Sequence, residues 1–115
     1  MRQYEIWWAS LPAPVGRRPV LLLSRSSAYA VLNKVIVAEV TATLRGIPVE
    51  VRLGPREGLS RQSLANLDNL HVVARSNLAS KIGTLAPSRV GEVKRALGYV
   101  LDWPELKYGE DEHLG

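Results

Sequence analysis

The sequence predicts a mainly β fold with α elements (α+β): a small, twisted, antiparallel SH3-like barrel with short helices and a C-terminal amphipathic helix. Three observations carry this. Most of the first 85 residues fall into short segments rich in Val, Ile, Leu and Trp, punctuated by Gly, Pro and Ser. The hydrophobic period then changes at Pro87, after which apolar residues recur at spacings of three and four. The 115 residues amount to one domain, long enough to bury a core without staples, and the chain has no cysteine.

The elements follow in order. "QYEIWWA" (3–9) mixes aromatic and β-branched residues and reads as a first strand. A loop of Pro, Ala and Gly leads to "RPVLLLS" (18–24), whose unbroken aliphatic run suits a strand buried on both faces. "NKVIVAEVT" (33–41) is a third strand. "IPVEVRL" (47–53) alternates, with Ile47, Val49, Val51 and Leu53 on one face, and its Pro48 places it at an edge or a strand start. "GPREG" (54–58) is a turn. "LANLDNLHVVA" (64–74) is a further strand, less regular at "LDNL"; "SNLAS" (76–80) suits one helical turn, and "KIGTL" (81–85) a last strand.

Val90, Val93, Leu97, Val100 and Leu101 then share one helical face, with Pro87 at the first helical position. Pro104 disfavours helical geometry at Trp103 and stops that helix. The organisation expected is a single domain over residues 1–103 and an acidic, mobile tail over 104–115.

Charge is uneven. Residues 1–101 hold 14 Lys and Arg against 6 Asp and Glu, a net +8, whereas residues 102–115 hold 1 against 5, a net −4. A basic body suits a polyanionic partner. No apolar run approaches a membrane span, and "MRQYEIWWAS" lacks the long apolar stretch of a signal peptide. The expected setting is soluble and cytoplasmic.

Several chemistries are disfavoured. The two histidines, His71 and His113, pair only if the tail folds back, and His71 alone reads as a strand residue. The body's carboxylates are scattered, which does not suit a divalent-metal nuclease. No phosphate loop and no "GxSxG" elbow is present. Arginines with hydroxyl groups remain. That set binds a phosphodiester and stabilises charge building on its oxygens. RNA brings its own nucleophile, the 2′-OH, so the composition permits a ribonuclease that works mainly by positioning and charge stabilisation, aided by a proton acceptor and donor.

The residues "YEIWWASLPAPVGRRPVLLLS", "VIVAEVTATLRGIPVEVRLGPREGL" and "SLANLDNLHVVARSNLASKIGTLAPSRVGEVKRAL" resemble, in order, the MazF/PemK (Kid) family of toxin endoribonucleases. The likeness spans roughly residues 3–101. It implies a CcdB/MazF-type fold and a homodimer. It implies cleavage of single-stranded RNA, usually mRNA, at a short sequence and without metal or other cofactor. It also implies a cognate antitoxin that covers the RNA groove.

By motif, the arginine of "G-x-R-P" is Arg18, and the threonine of "V-A-x-V-T" is Thr41. The resemblance implies that Arg18 binds the scissile phosphate and that the Thr41 hydroxyl orients the phosphate or the 2′-OH. From the residues alone, Arg18 reads as a strand-end ion-pairing residue and Thr41 as an ordinary β-branched strand residue. Arg17, Arg25 and Arg45 are candidate contacts to the RNA backbone, or plain surface. Thr43, Asn69 and His71 are candidate groove residues, and Trp7, Trp8 and Tyr29 are available for base stacking.

The chain departs from the family pattern in two places. Many relatives carry an acidic or amide pair in the first loop, where this chain has Ala13 and Pro14. That leaves open which group takes the 2′-OH proton, since threonine is a poor base unaided. The family strand often has Pro at the position of Glu39 and Ser at that of Ala42. Two alternatives follow. One is a gyrase-binding toxin of CcdB type, which depends on a terminal Trp-Gly-Ile; here Trp103 precedes Pro104 and the sequence ends "DEHLG". The other is a catalytically inactive RNA-binding relative.

Overall fold

Runs that alternate between two apolar layers build the sheet. The computed structural model describes residues 1–108. Its strands are β1 (Glu5–Leu11), β2 (Gly16–Leu22), β3 (Lys34–Thr41), β4 (Glu50–Leu53), β5 (Ser63–Ala74) and β6 (Leu78–Thr84). Helix α1 (Ala28–Val31) lies between β2 and β3, and α2 (Val90–Leu101) and α3 (Pro104–Tyr108) follow the last strand. The strands pair antiparallel in the order β4-β5-β3-β2-β1-β6 and curl into a half-barrel whose edges are β4 and β6.

β2 shows why its aliphatic run is unbroken. Val20 and Leu22 join a cluster with Ala9, Leu11, Val35, Val37 and Val73. Leu21, between them, joins the other cluster with Ile6, Ala38, Val51, Leu53 and Leu67, which α2 covers through Val93 and Ala96. All three are fully buried. Each contributes on the order of 1.5–3 kcal/mol of burial free energy, so the strand's position is strongly specified.

Among the described residues, no hydrogen-bonded pairing joins the two edges of the sheet. The 3-10 turn Pro55–Glu57 packs instead onto β6. Gly83 makes this possible: a Cβ there would fall 1.9 Å from the Glu57 carbonyl oxygen. Arg89, in the turn that leads into α2, ties the same corner together. It pairs with Glu57 at 3.5 Å and with Glu92 at 2.7 Å, and donates to the Arg52 carbonyl.

Four details differ from the sequence expectation. β4 starts at Glu50, because Ile47–Glu50 closes a turn in which the Glu50 amide donates to the Ile47 carbonyl; Ile47 is therefore exposed. The helical turn near residue 76 is short, Arg75–Asn77, and β6 already begins at Leu78. On α2, Ala96 is buried and Leu101 is exposed, since the 93, 96, 97, 100 stripe is the one that meets the sheet. Pro104 does stop α2, yet it also opens α3. Asp102 turns the chain with φ 48, and α3 packs back over Gly98. Residues 109–115, the rest of the expected tail, lie outside the described residues.

Candidate active site

A groove forms where the start of β2 meets the end of β3. β2 and β3 pair through Val20 and Glu39. Two residues beyond that last pair on each strand, Arg18 and Thr41 both line the groove that opens there. Neighbouring strands thus bring a guanidinium and a hydroxyl to one groove at the edge of the core, on backbone that Val20 and Leu22 anchor.

The groove has a volume of about 580 Å³. Arg17, Arg18, Thr41 and Thr43 line one side, with Trp8 and Pro19. The chain after β4 supplies the other side: Gly58, Leu59, Ser60, Arg61 and Ser63, with Ile82 from β6. Gly58 is required here, because its φ is +91 and a Cβ would stand 2.3 Å from the Ile82 carbonyl oxygen. Three guanidinium groups line the groove and no carboxylate does, among the described residues. The hydroxyls of Thr41, Thr43, Ser60 and Ser63 add uncharged donors and acceptors. The arrangement suits an anion with several oxygens.

Arg18 is one-third exposed, and its Nη1 lies 3.4 Å from Glu39 Oε1. Glu39 Oε2 lies 3.1 Å from His71 Nε2, across the β3–β5 pairing. The Thr41 hydroxyl accepts from the Thr43 amide at 3.4 Å. Arg17 stacks on Trp8, its guanidinium carbon 4.2 Å from the ring centroid. Beyond β3, the Glu50 carboxylate accepts from the amides of Arg45, Gly46 and Ile47, which shapes the 42–49 segment beside the groove.

The candidates from the sequence therefore divide. Arg17, Arg18, Thr41 and Thr43 come together in the groove. Arg45 is exposed on the adjoining segment. Asn69 is exposed in a bulge of β5, where Leu67, Asp68 and Asn69 interrupt the pairing to β3; this is the irregular "LDNL". His71 is reached through Glu39 and does not line the groove. Arg25 lies beyond the far end of β2 from Arg18, on the order of 20 Å along the strand by rise per residue.

Of the aromatic candidates, Trp8 faces the groove. Trp7 donates its indole N–H to Glu5 and packs against the cluster of Val20 and Leu22. Tyr29 is buried, and burial pushes its hydroxyl up to about 12, so it is not a stacking surface. Sequence reasoning did not assign Ser60, Arg61 and Ser63 to the site. Their only signal was a run of polar residues after "GPREG", because the turn brings them to the groove across a long sequence separation.

The family model for the PemK-like, MazF-like toxin of type II toxin–antitoxin systems matches residues 2–101. The chain belongs to this toxin family. A curated relative, the probable endoribonuclease MazF5 of Mycobacterium tuberculosis, is 38% identical over 99 residues, covering 85% of this chain and 90% of its own. Endoribonuclease MazF3 of the same organism is 35% identical over 88 residues, covering 75% and 85%. Among solved structures, the Mycobacterium tuberculosis toxin MazF-mt6 superposes with a TM-score of 0.81 at 33% identity, covering 85% of this chain and 96% of that one. A mycobacterial endoribonuclease solved with its cognate antitoxin gives a TM-score of 0.77 at 23% identity, over 90% and 97%, and shares the fold. Among the described residues of this family member, no three His, Cys, Asp or Glu side chains gather as a metal site, and no helix is long and apolar enough to cross a membrane.

Proposed function

We propose that this chain is an endoribonuclease toxin that cleaves single-stranded RNA, mRNA above all, at a short sequence in the cytoplasm. Its cognate antitoxin neutralises it. The observation that carries the reading is that Arg18 and Thr41 line one groove together with Arg17 and Arg61. Relatives named as endoribonucleases, and one solved with its antitoxin, support it.

The reaction follows from the groups present. Arg18 holds the scissile phosphate by charge-assisted hydrogen bonds and stabilises the extra negative charge as phosphorus becomes pentacoordinate. The Thr41 hydroxyl orients a phosphate oxygen or the 2′-OH. Arg17 and Arg61 neutralise flanking phosphates, and Trp8 offers its ring to a base. The 2′-oxygen attacks phosphorus and the 5′-oxygen leaves, so the nucleophile comes from the substrate and needs no metal-bound water. The active unit is a homodimer.

Incubating the purified protein with a mixed-sequence transcript of several kilobases in excess chelator tests this. Defined fragments whose ends share a short sequence are expected. An intact transcript would overturn the reading, and in that case inhibition of gyrase supercoiling would favour the alternative. A dead RNA-binding relative would retain the transcript without cutting it.

A further inference from the structure

Glu39 is placed where a proton acceptor is missing. The first loop offers Ala13 and Pro14, neither of which takes a proton. No carboxylate lines the groove among the described residues, and a threonine hydroxyl is a poor base unaided. Glu39 lies just behind the lining, on the same face of the sheet as Arg18 and Thr41. Its side chain is 13% exposed, with one oxygen toward Arg18 at 3.4 Å and the other toward His71 at 3.1 Å.

The two contacts have different fates when RNA binds. Arg18 carries one positive charge, which a bound phosphate and Glu39 would share. A phosphodiester in the groove competes for it and leaves Glu39 Oε1 free of its ion-pair partner. The 2′-OH sits on the sugar carbon next to the one that carries the scissile phosphate, so it arrives with that phosphate. His71, on the opposite oxygen, keeps the carboxylate from turning away.

Resting on the reading of the groove as an RNA-cleaving site, we infer that Glu39 is the general base for the 2′-OH and that His71 is its positioning residue. RNA releases Glu39 for this role by taking Arg18. In the step, the O2′–H bond breaks and its proton goes to Glu39 Oε1. The O2′–P bond forms, and the P–O5′ bond breaks to leave a 2′,3′-cyclic phosphate. The leaving 5′-oxygen takes a proton from water. Glu39 then returns its proton to solvent, so no net proton is consumed.

Single-turnover cleavage and RNA affinity, measured together, test this. In Glu39→Gln the cleavage rate is expected to fall about 100-fold or more, as for loss of a general base. RNA affinity is expected to hold or rise, because Arg18 no longer has a competing anion. A merely structural role would lower both. His71→Ala is expected to lose about tenfold in kcat with KM unchanged, and His71→Gln, which keeps a donor for Glu39, to recover most of it.

A wild type that cleaves alongside a Glu39→Gln variant within threefold of its rate overturns the assignment and leaves the RNA-cleaving reading intact. A wild type that cleaves nothing overturns both. If Glu39→Gln does not fold, the imidazole resonances of His71 decide. Binding of a 2′-O-methyl RNA of the mapped cleavage sequence is expected to shift them as Arg18 leaves Glu39, and unmoved resonances overturn the proposal.

Discussion

Arg17 lies over the indole of Trp8, its guanidinium carbon 4.2 Å from the ring centroid, at the wall of the groove. The pair joins a cation for phosphate to a π-face for a base. Trp8→Ala removes the platform that holds Arg17 as well as a stacking surface. RNA affinity is expected to drop by about 1–3 kcal/mol, as for one lost base–aromatic stack. Filter binding or fluorescence anisotropy at fixed salt measures it, and an unchanged affinity would show that bases do not reach Trp8.

Arg17→Ala separates the two contributions. Loss of one phosphate contact reduces the slope of log K against log salt by about 0.7 for a single strand. Titrations between low and physiological salt report that slope. A slope equal to wild type would place Arg17 outside the phosphate path.

Arg18→Lys keeps the charge and loses the planar fork. A lysine ammonium cannot bind two phosphate oxygens in parallel, so cleavage is expected to fall by two orders of magnitude or more while folding is retained. Thermal melting and single-turnover cleavage on the same preparation distinguish the two effects. Near-normal cleavage by the lysine variant would reduce Arg18 to a simple counter-ion.

Stability is expected to fall in acid. Burial pushes the Glu5 carboxyl up, but hydrogen bonds from Trp7, Lys81 and the Arg2 amide, with the charge of Lys81, outweigh it and leave Glu5 below its ordinary 4.5. The hydrogen bond from Arg89 similarly lowers Glu92 from 4.5. Both folded values lie below the unfolded one. Their stabilisation is therefore complete above the unfolded value and is lost as pH falls through the depressed folded values. Urea midpoints at a series of pH values below 5 should decline. Glu5→Gln should flatten that decline, and an unchanged pH dependence would exclude Glu5 as a contributor.

Gly98→Ala tests the attachment of α3. A Cβ at this position would stand 2.2 Å from the Lys107 amide nitrogen, so the short helix must move away. The expected cost is about 1–3 kcal/mol, as for overpacking, and is read from denaturant unfolding. Faster hydrogen exchange at residues 104–108 should accompany it. If exchange there is unaffected, α3 does not depend on the close approach.

Much of the fold was legible because strand and helix periods are local properties. The run from Val20 to Leu23 could be read as doubly buried; Val20, Leu21 and Leu22 are, whereas Leu23 lies past the end of β2 and is partly buried. The irregularity at "LDNL" was visible as broken alternation, and β5 bulges there. Pro48 pointed to an edge or a strand start; β4 is an edge strand, and Pro48 itself lies in the turn before it. Ile47 was misassigned because alternation continues into a turn whose shape depends on Glu50 capping three amides.

The site was legible only where a motif tied it to one strand. Arg18 and Thr41 belong to neighbouring strands, β2 and β3, and the motif residues travel with those strands. Arg61 and Ser63 reach the same groove only through the turn after β4, and His71 reaches Arg18 only through Glu39. Such meetings depend on long-range pairing, which no local pattern encodes. Residue order thus accounts for the strands, the terminal helix and the placing of one arginine beside a proline at a strand mouth. Sheet curvature and register settle which cations share a groove and which carboxylate stands behind them, because those distances are set by chain segments far apart in sequence.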